Sequence, residues 1–89
     1  MLKISSSEGS NNEVVLKIEG NLAGAWVEEV RAACDAILKE ERRVALDLRG
    51  LTYVDLAGAE LLGSLRADHR VVIRTASAFV TELLKGGAA

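Results

Sequence analysis

The sequence predicts an α/β fold with the element order β-β-α-β-α-β-α and a four-stranded mixed sheet. Three observations support this fold class. Apolar and polar residues alternate in the first three strand-like segments, one long segment carries an apolar stripe at helical spacing, and 49% of the 89 residues are hydrophobic. An apolar content this high excludes a disordered chain. The length indicates a single domain, which we place at residues 1–85 with a short flexible tail at 86–89.

The first half of the chain is predicted to form a hairpin and a long helix. Leu2 and Ile4 alternate with polar residues, and a polar turn is expected at residues 5–12 before the second strand. A helix is expected at about residues 24–41, where Trp26 should lie at the edge of the core with its ring partly exposed. The apolar stripe of this helix is formed by Val27, Val30, Cys34, Ile37 and Leu38.

The second half is predicted to alternate strands and helices. The third strand is expected at residues 44–48, with Ala45 and Asp47 facing outward. Asp55 is expected to cap the next helix, because a short acidic side chain accepts hydrogen bonds from the free N–H groups at a helix start. A buried strand at residues 71–73 and a last helix complete the order.

The connections between these elements predict how the strands pair. The first two strands are close in sequence and should form an antiparallel hairpin. The later strands are linked by helices, so they should be parallel and joined by right-handed crossovers. Alternating strands indicate a sheet that is covered on one side, so we expect the helices mainly on one face.

The sequence contains little material for catalysis. His69 is the single histidine and Cys34 the single cysteine, and together they cannot supply the three or four ligands of a metal site. The glycines do not form a phosphate-binding loop. We therefore expect a protein that is not an enzyme, with no catalytic residues, no cofactor and no metal site.

Charge and hydropathy narrow the range of partners and the location. The net charge is −2 and the isoelectric point is about 5.4, whereas a nucleic-acid binder normally carries a basic excess. No apolar run approaches the roughly 20 residues of a membrane span. The N-terminus has no basic region followed by an apolar stretch, which a signal peptide would require. We therefore expect a cytoplasmic protein that neither binds nucleic acid nor inserts into a membrane.

Two segments carry a resemblance to a known family. Residues 44–62 contain the pairs Asp47-Leu48 and Gly50-Leu51, then Tyr53-Val54-Asp55 and Gly58. The second strand ends in the run Leu16-Lys17-Ile18-Glu19-Gly20-Asn21-Leu22. With both motifs at this spacing, the chain resembles the STAS domain family, which comprises the bacterial anti-sigma factor antagonists and their relatives. The resemblance covers most of the chain in element order.

The resemblance implies a protein-interaction module that takes part in transcription regulation by partner switching. The implied partner is an anti-sigma factor or a related kinase-like regulator. The implied contact residues lie in the turn after the second strand and at the start of the helix that Asp55 caps. They are Asn21, Leu22, Ala23, Gly24, Asp55, Leu56, Ala57, Gly58 and Glu60. Asp55 can serve as a helix cap and as part of this surface at the same time.

The sequence departs from the family at the regulatory position. In the family, the serine directly after the acidic residue is phosphorylated by a partner kinase, and a phosphate at a helix start is held by free N–H groups. Here that position is Leu56, followed by Ala57, and neither side chain has a hydroxyl group. The acidic positions of the turn are Asn21 and Ala23, and Glu60 replaces a glycine. We therefore expect no phosphorylation site at Leu56 and no serine phospho-switch.

Two other functions stay open at this point. Some small STAS proteins are accessory subunits that bind the ATPase of ABC-type lipid transporters, and the sequence does not separate that role from sigma-factor regulation. The third hypothesis is a small enzyme or ligand-binding domain, which would need a pocket with perturbed titratable groups. His69 pointing into a cleft beside Asp47 or Asp55 would favour it.

Overall fold

The computed structural model describes residues 1–87 and confirms the predicted element order. The elements are β1 (Leu2–Glu8), β2 (Glu13–Leu22), α1 (Trp26–Lys39), β3 (Arg43–Val54), α2 (Leu56–Ala67), β4 (Val71–Ala76) and α3 (Ala78–Gly87). The last helix includes residues 86 and 87, which we had expected in the tail, and residues 88 and 89 lie outside the described part of the chain.

The strands form one sheet in the order β1-β2-β3-β4. The β1 and β2 strands are antiparallel, whereas β2, β3 and β4 are mutually parallel, as predicted. All three helices contribute to a single core with the sheet, so they cover one face of it. The largest fully buried side chains are Leu16, Ile18, Leu22, Val30, Cys34, Val44, Leu46, Leu48, Leu61, Leu62 and Val80.

The α1 helix buries the stripe that its sequence predicts. Val27, Val30 and Cys34 are buried, and Ile37 and Leu38 are partly buried. Cys34 is a free thiol, and burial raises its pKa to about 11, with a smaller effect from Asp35. The thiol therefore stays protonated and acts as a small apolar group of the core.

The hairpin turn is shorter than expected. Ser5, Ser6 and Ser7 belong to β1 and pair with the backbone of β2, so the prediction of a turn at residues 5–12 was wrong for its first half. Strand pairing uses backbone hydrogen bonds and does not require apolar side chains. The polar side chains of these serines therefore led to the wrong prediction of a turn. The tight turn itself contains Asn11 and Asn12, both at positive φ, a conformation that asparagine tolerates better than most residues.

Burial on the uncovered face of the sheet also differs from expectation. Ala45 was expected to face outward, yet it is fully buried, and Val72 was expected to be buried, yet it is 43% exposed. Arg74 on β4 donates from Nη2 to Oε2 of Glu13 on β2 at 2.9 Å, and its Nη1 lies 2.9 Å from Oε1 at ion-pair distance. Ala45 is paired on both sides, with Val15 on β2 and Val72 on β4, and the ion pair crosses the strand that carries it. Val72 stays exposed because it lies on the edge strand.

Asp47 joins the irregular parts of β3 and β4, where the register between the strands shifts. Its Oδ1 accepts hydrogen bonds from the Thr75 hydroxyl at 2.9 Å and from Arg49 N and Nε, each at 3.2 Å. The hydrogen bonds from the Arg49 side chain, followed by that from Thr75, lower the pKa of Asp47 to about 2 against the opposing effect of burial.

Gly58 and Gly63 on α2 offer a matched test of the packing. A Cβ atom added at Gly58 would lie 2.5 Å from the carbonyl oxygen of Leu22. A Cβ atom added at Gly63 would have no such neighbouring atom within 4 Å. We expect Gly63→Ala to raise the free energy of unfolding by about 1 kcal/mol through helix propensity. We expect Gly58→Ala to lower it by about 1–2 kcal/mol, because a backbone clash outweighs that gain. Urea denaturation measures both, and equal stabilisation by the two variants would contradict the close packing of α2 on β2.

The Asp47 cluster predicts a pH dependence with a defined sign. A carboxyl group whose pKa is lower in the folded state stabilises the protein above its unfolded pKa, and this contribution disappears as the pH falls through the folded pKa. We expect Asp47→Asn to be less stable than the parent protein above about pH 4. This difference should shrink towards pH 2. Urea midpoints between pH 2 and 6 measure the difference, and Asp35→Asn, on the exposed side of α1, is the control. A difference that stays constant over this range argues against the cluster.

Candidate functional site

Asp55 joins the two segments that the sequence analysis singled out. It is the N-cap of α2, as predicted, and its Oδ1 accepts a hydrogen bond from Gly58 N at 2.7 Å. Its Oδ2 accepts one from Gly24 N at 3.0 Å, and its own N–H donates to the carbonyl of Leu22 at 3.1 Å. The hydrogen bonds from Gly24 and then Gly58 lower the pKa of Asp55. A charged carboxylate therefore holds the turn after β2 against the start of α2.

Two glycines permit this junction. Gly24 has φ of 59°, in the left-handed region where a side chain would be strained, and this turn directs its N–H to Asp55. Gly58 allows the first turn of α2 to approach the end of β2, as the short distance to the Leu22 carbonyl indicates. Leu22 and Gly58 are themselves buried, so they support the junction and do not form its outer surface.

The remaining predicted residues lie at or near the surface of this junction. Asn21, Gly24, Leu56, Ala57 and Glu60 are exposed, and Ala23 is partly buried. The Thr52 hydroxyl donates to the Gly20 carbonyl at 3.2 Å and lies 3.1 Å from Oδ1 of Asn21. The structure thus brings together the two segments that the sequence analysis proposed, although they are about 30 residues apart in the chain.

Large apolar side chains are exposed along the same edge of the sheet. The carboxyl ends of the parallel strands β2, β3 and β4 meet at one edge, where α1, α2 and α3 begin. Leu56 is 78% exposed, Tyr53 54%, Phe79 45% and Trp26 41%. We call these four residues, together with Asn21 and Gly24, the carboxyl-edge surface. Exposed aromatic and large aliphatic side chains grouped in this way are typical of protein-binding surfaces.

Sequence reasoning recovered only part of this surface. The partial exposure of Trp26 at the edge of the core was expected. Tyr53 was not identified as a contact residue, although it directly precedes the buried Val54 in a strand and alternation assigns it to the opposite side. Phe79 was not considered, because its exposure depends on how α3 packs against the sheet.

The structure gives little support to catalysis. Within residues 1–87, no three His, Cys, Asp or Glu side chains are grouped to hold a metal ion. His69 lies in the exposed connection between α2 and β4, whereas Asp47 and Asp55 are engaged by the donors described above. An open groove of about 450 Å³ runs between α2 and α3, lined mainly by apolar and small residues with Glu60 and Arg66 as its charged groups. None of the described helices combines the length and apolar character needed to span a membrane.

Comparison with known proteins places this architecture in a family. No curated protein sequence matches the chain. The fold is similar to the solved structure of the anti-sigma factor antagonist SpoIIAA in its unphosphorylated form, with a TM-score of 0.73 and 20% identity over 97% of this chain and 81% of that chain. A family model described as "Mlab, STAS domain" matches residues 5–86. Since that match spans nearly the whole chain, the protein belongs to the STAS domain family.

Proposed function

We propose that this protein is a non-catalytic, cytoplasmic interaction module that docks an anti-sigma factor or a related kinase-like regulator through its carboxyl-edge surface. Membership of the STAS family supports a role in protein interaction. The observation that carries the proposal is the position of Leu56. It is the most exposed large apolar side chain after Met1, and it stands at the first residue of α2, beside the Asp55 junction.

The chemistry of this helix start supports docking that does not depend on phosphorylation. A helix N-terminus ordinarily favours an anion, because its N–H groups are free and its dipole is positive there. Here the Asp55 carboxylate already accepts from Gly58 N, and the next two side chains, Leu56 and Ala57, carry no hydroxyl group. Under this proposal the partner is bound continuously, and its abundance controls the response.

An accessory subunit of an ABC-type lipid transporter is the second candidate function. The observation that favours it is the description of the matching family model, which carries the name Mlab and not that of an antagonist. The same exposed surface would then dock the ATPase subunit. Co-purification with an ATPase subunit favours this role, whereas co-purification with a kinase-like protein favours the first.

Leu56→Asp tests the docking proposal directly. The tagged chain is used to isolate the partner from host lysate, the partner is identified by mass spectrometry, and the purified pair is measured by calorimetry. We expect Leu56→Asp to weaken binding at least about tenfold, since a charge then occupies a desolvated contact. Ala36→Asp adds the same charge on the exposed side of α1 and should stay within about twofold. Unchanged affinity for Leu56→Asp in a folded protein contradicts the proposal.

Incubation with ATP and the kinase-like partner tests the absence of the phospho-switch. We expect no phosphate in residues 55–58, because Leu56 and Ala57 offer no acceptor. Peptide mass spectrometry of the product measures this. Stoichiometric phosphate in that segment would overturn this part of the proposal.

Asp55→Ala separates a positioning role from a contact role. We expect faster hydrogen exchange at the amides of Gly24 and Gly58, because both lose their acceptor, together with weaker binding. Leu56→Asp should leave the exchange of these two amides unchanged while it weakens binding at least about tenfold. If Asp55→Ala weakens binding without changing either amide, Asp55 contacts the partner and does not position the surface.

A further inference from the structure

Each helix repeats one arrangement at the carboxyl-edge surface. An exposed large apolar residue lies in the first turn, and an exposed glutamate follows three or four residues later, which places it on the same side of the helix. The pairs are Trp26 and Glu29 on α1, Leu56 and Glu60 on α2, and Phe79 and Glu82 on α3. The glutamates therefore border the apolar side chains that the proposed function uses.

Glu29 and Glu60 belong to none of the ion pairs found among the described side chains. Those ion pairs join Glu28, Glu8, Asp47, Asp68 and Glu13 to arginines. The turn after β2 adds no charge to the surface, since its residues are Asn21, Ala23 and Gly24. The surface thus combines exposed apolar groups with a border of negative charge.

We infer that the partner presents an apolar patch bordered by lysine or arginine side chains, so that the glutamate border steers and orients the encounter. This inference rests on the proposed docking role of the carboxyl-edge surface and specifies the chemistry of its partner. A second copy of this chain does not meet the requirement, because pairing two such surfaces would bring six carboxylates together. Charges at the border of an interface act mainly on the association rate and its salt dependence.

The test removes the negative charges of the three glutamates and leaves the exposed apolar residues in place. The triple variant Glu29→Gln, Glu60→Gln, Glu82→Gln is compared with the parent chain in stopped-flow association with the purified partner identified above, between about 50 and 500 mM NaCl. We expect its association rate at low salt to fall at least about fivefold and its salt dependence to flatten. The control variant Asp35→Asn, Glu40→Gln, Glu41→Gln removes the same charge at the opposite end of α1 and should stay within about twofold of the parent.

The outcomes separate this inference from the proposed function. If Leu56→Asp abolishes binding but the triple glutamine variant keeps the parent rate and salt dependence, the partner chemistry inferred here is wrong and the docking surface stands. If Leu56→Asp binds normally, the docking surface itself is wrong. Equal losses in the triple and control variants would reveal a general effect of net charge and overturn the role of the border. Capture of a second copy of the chain through Leu56 would overturn the inference as well.

Discussion

One carboxylate organises the carboxyl-edge surface of this molecule. Asp55 accepts hydrogen bonds from Gly24 N and Gly58 N, and so it ties the turn after β2, the end of β3 and the start of α2 into one unit. The junction works because Gly24 adopts a left-handed turn and Gly58 has no Cβ atom to clash with Leu22. Without the Asp55 carboxylate, these hydrogen bonds between the turn after β2 and the start of α2 would be lost. Fixed spacing of this kind lets a small domain present a defined surface.

The one-sided arrangement of the fold explains where apolar groups remain exposed. The helices and one face of the sheet share a single core, and nearly all the large aliphatic side chains are used there. The uncovered face is instead occupied by polar contacts, chiefly the Arg74–Glu13 ion pair that crosses β3 and the hydrogen bonds to Asp47. Large apolar side chains are therefore exposed mainly at the carboxyl edge, where the helices begin. Exposed apolar side chains grouped in this way are typical of protein-binding surfaces.

The start of α2 shows how one geometry can serve different chemistry. The helix dipole and free N–H groups favour an anion at this place, and a phosphate bound there would add about two negative charges to the surface. In this chain the capping carboxylate takes up a donor, and Leu56 extends an apolar side chain from the same turn. Under the proposed function, Leu56 in place of the family's serine converts a position suited to a charge switch into an anchor for an apolar patch. Under the inferred partner chemistry, the glutamates at the next turn of each helix supply the electrostatic component without any covalent change.

The sequence by itself determined the element order, the pairing of the strands, the buried stripe of α1 and the cap at Asp55. These features depend on residues that are near one another in the chain, where periodicity and capping chemistry are directly visible. It also indicated the two segments of the candidate site through a family resemblance. Only the tertiary structure decided that Asp55 reaches Gly24, that Ala45 is fully buried, and that Phe79 is exposed. Each of these features depends on which distant elements become neighbours, and the pattern of hydrophobic residues along the chain does not specify those contacts.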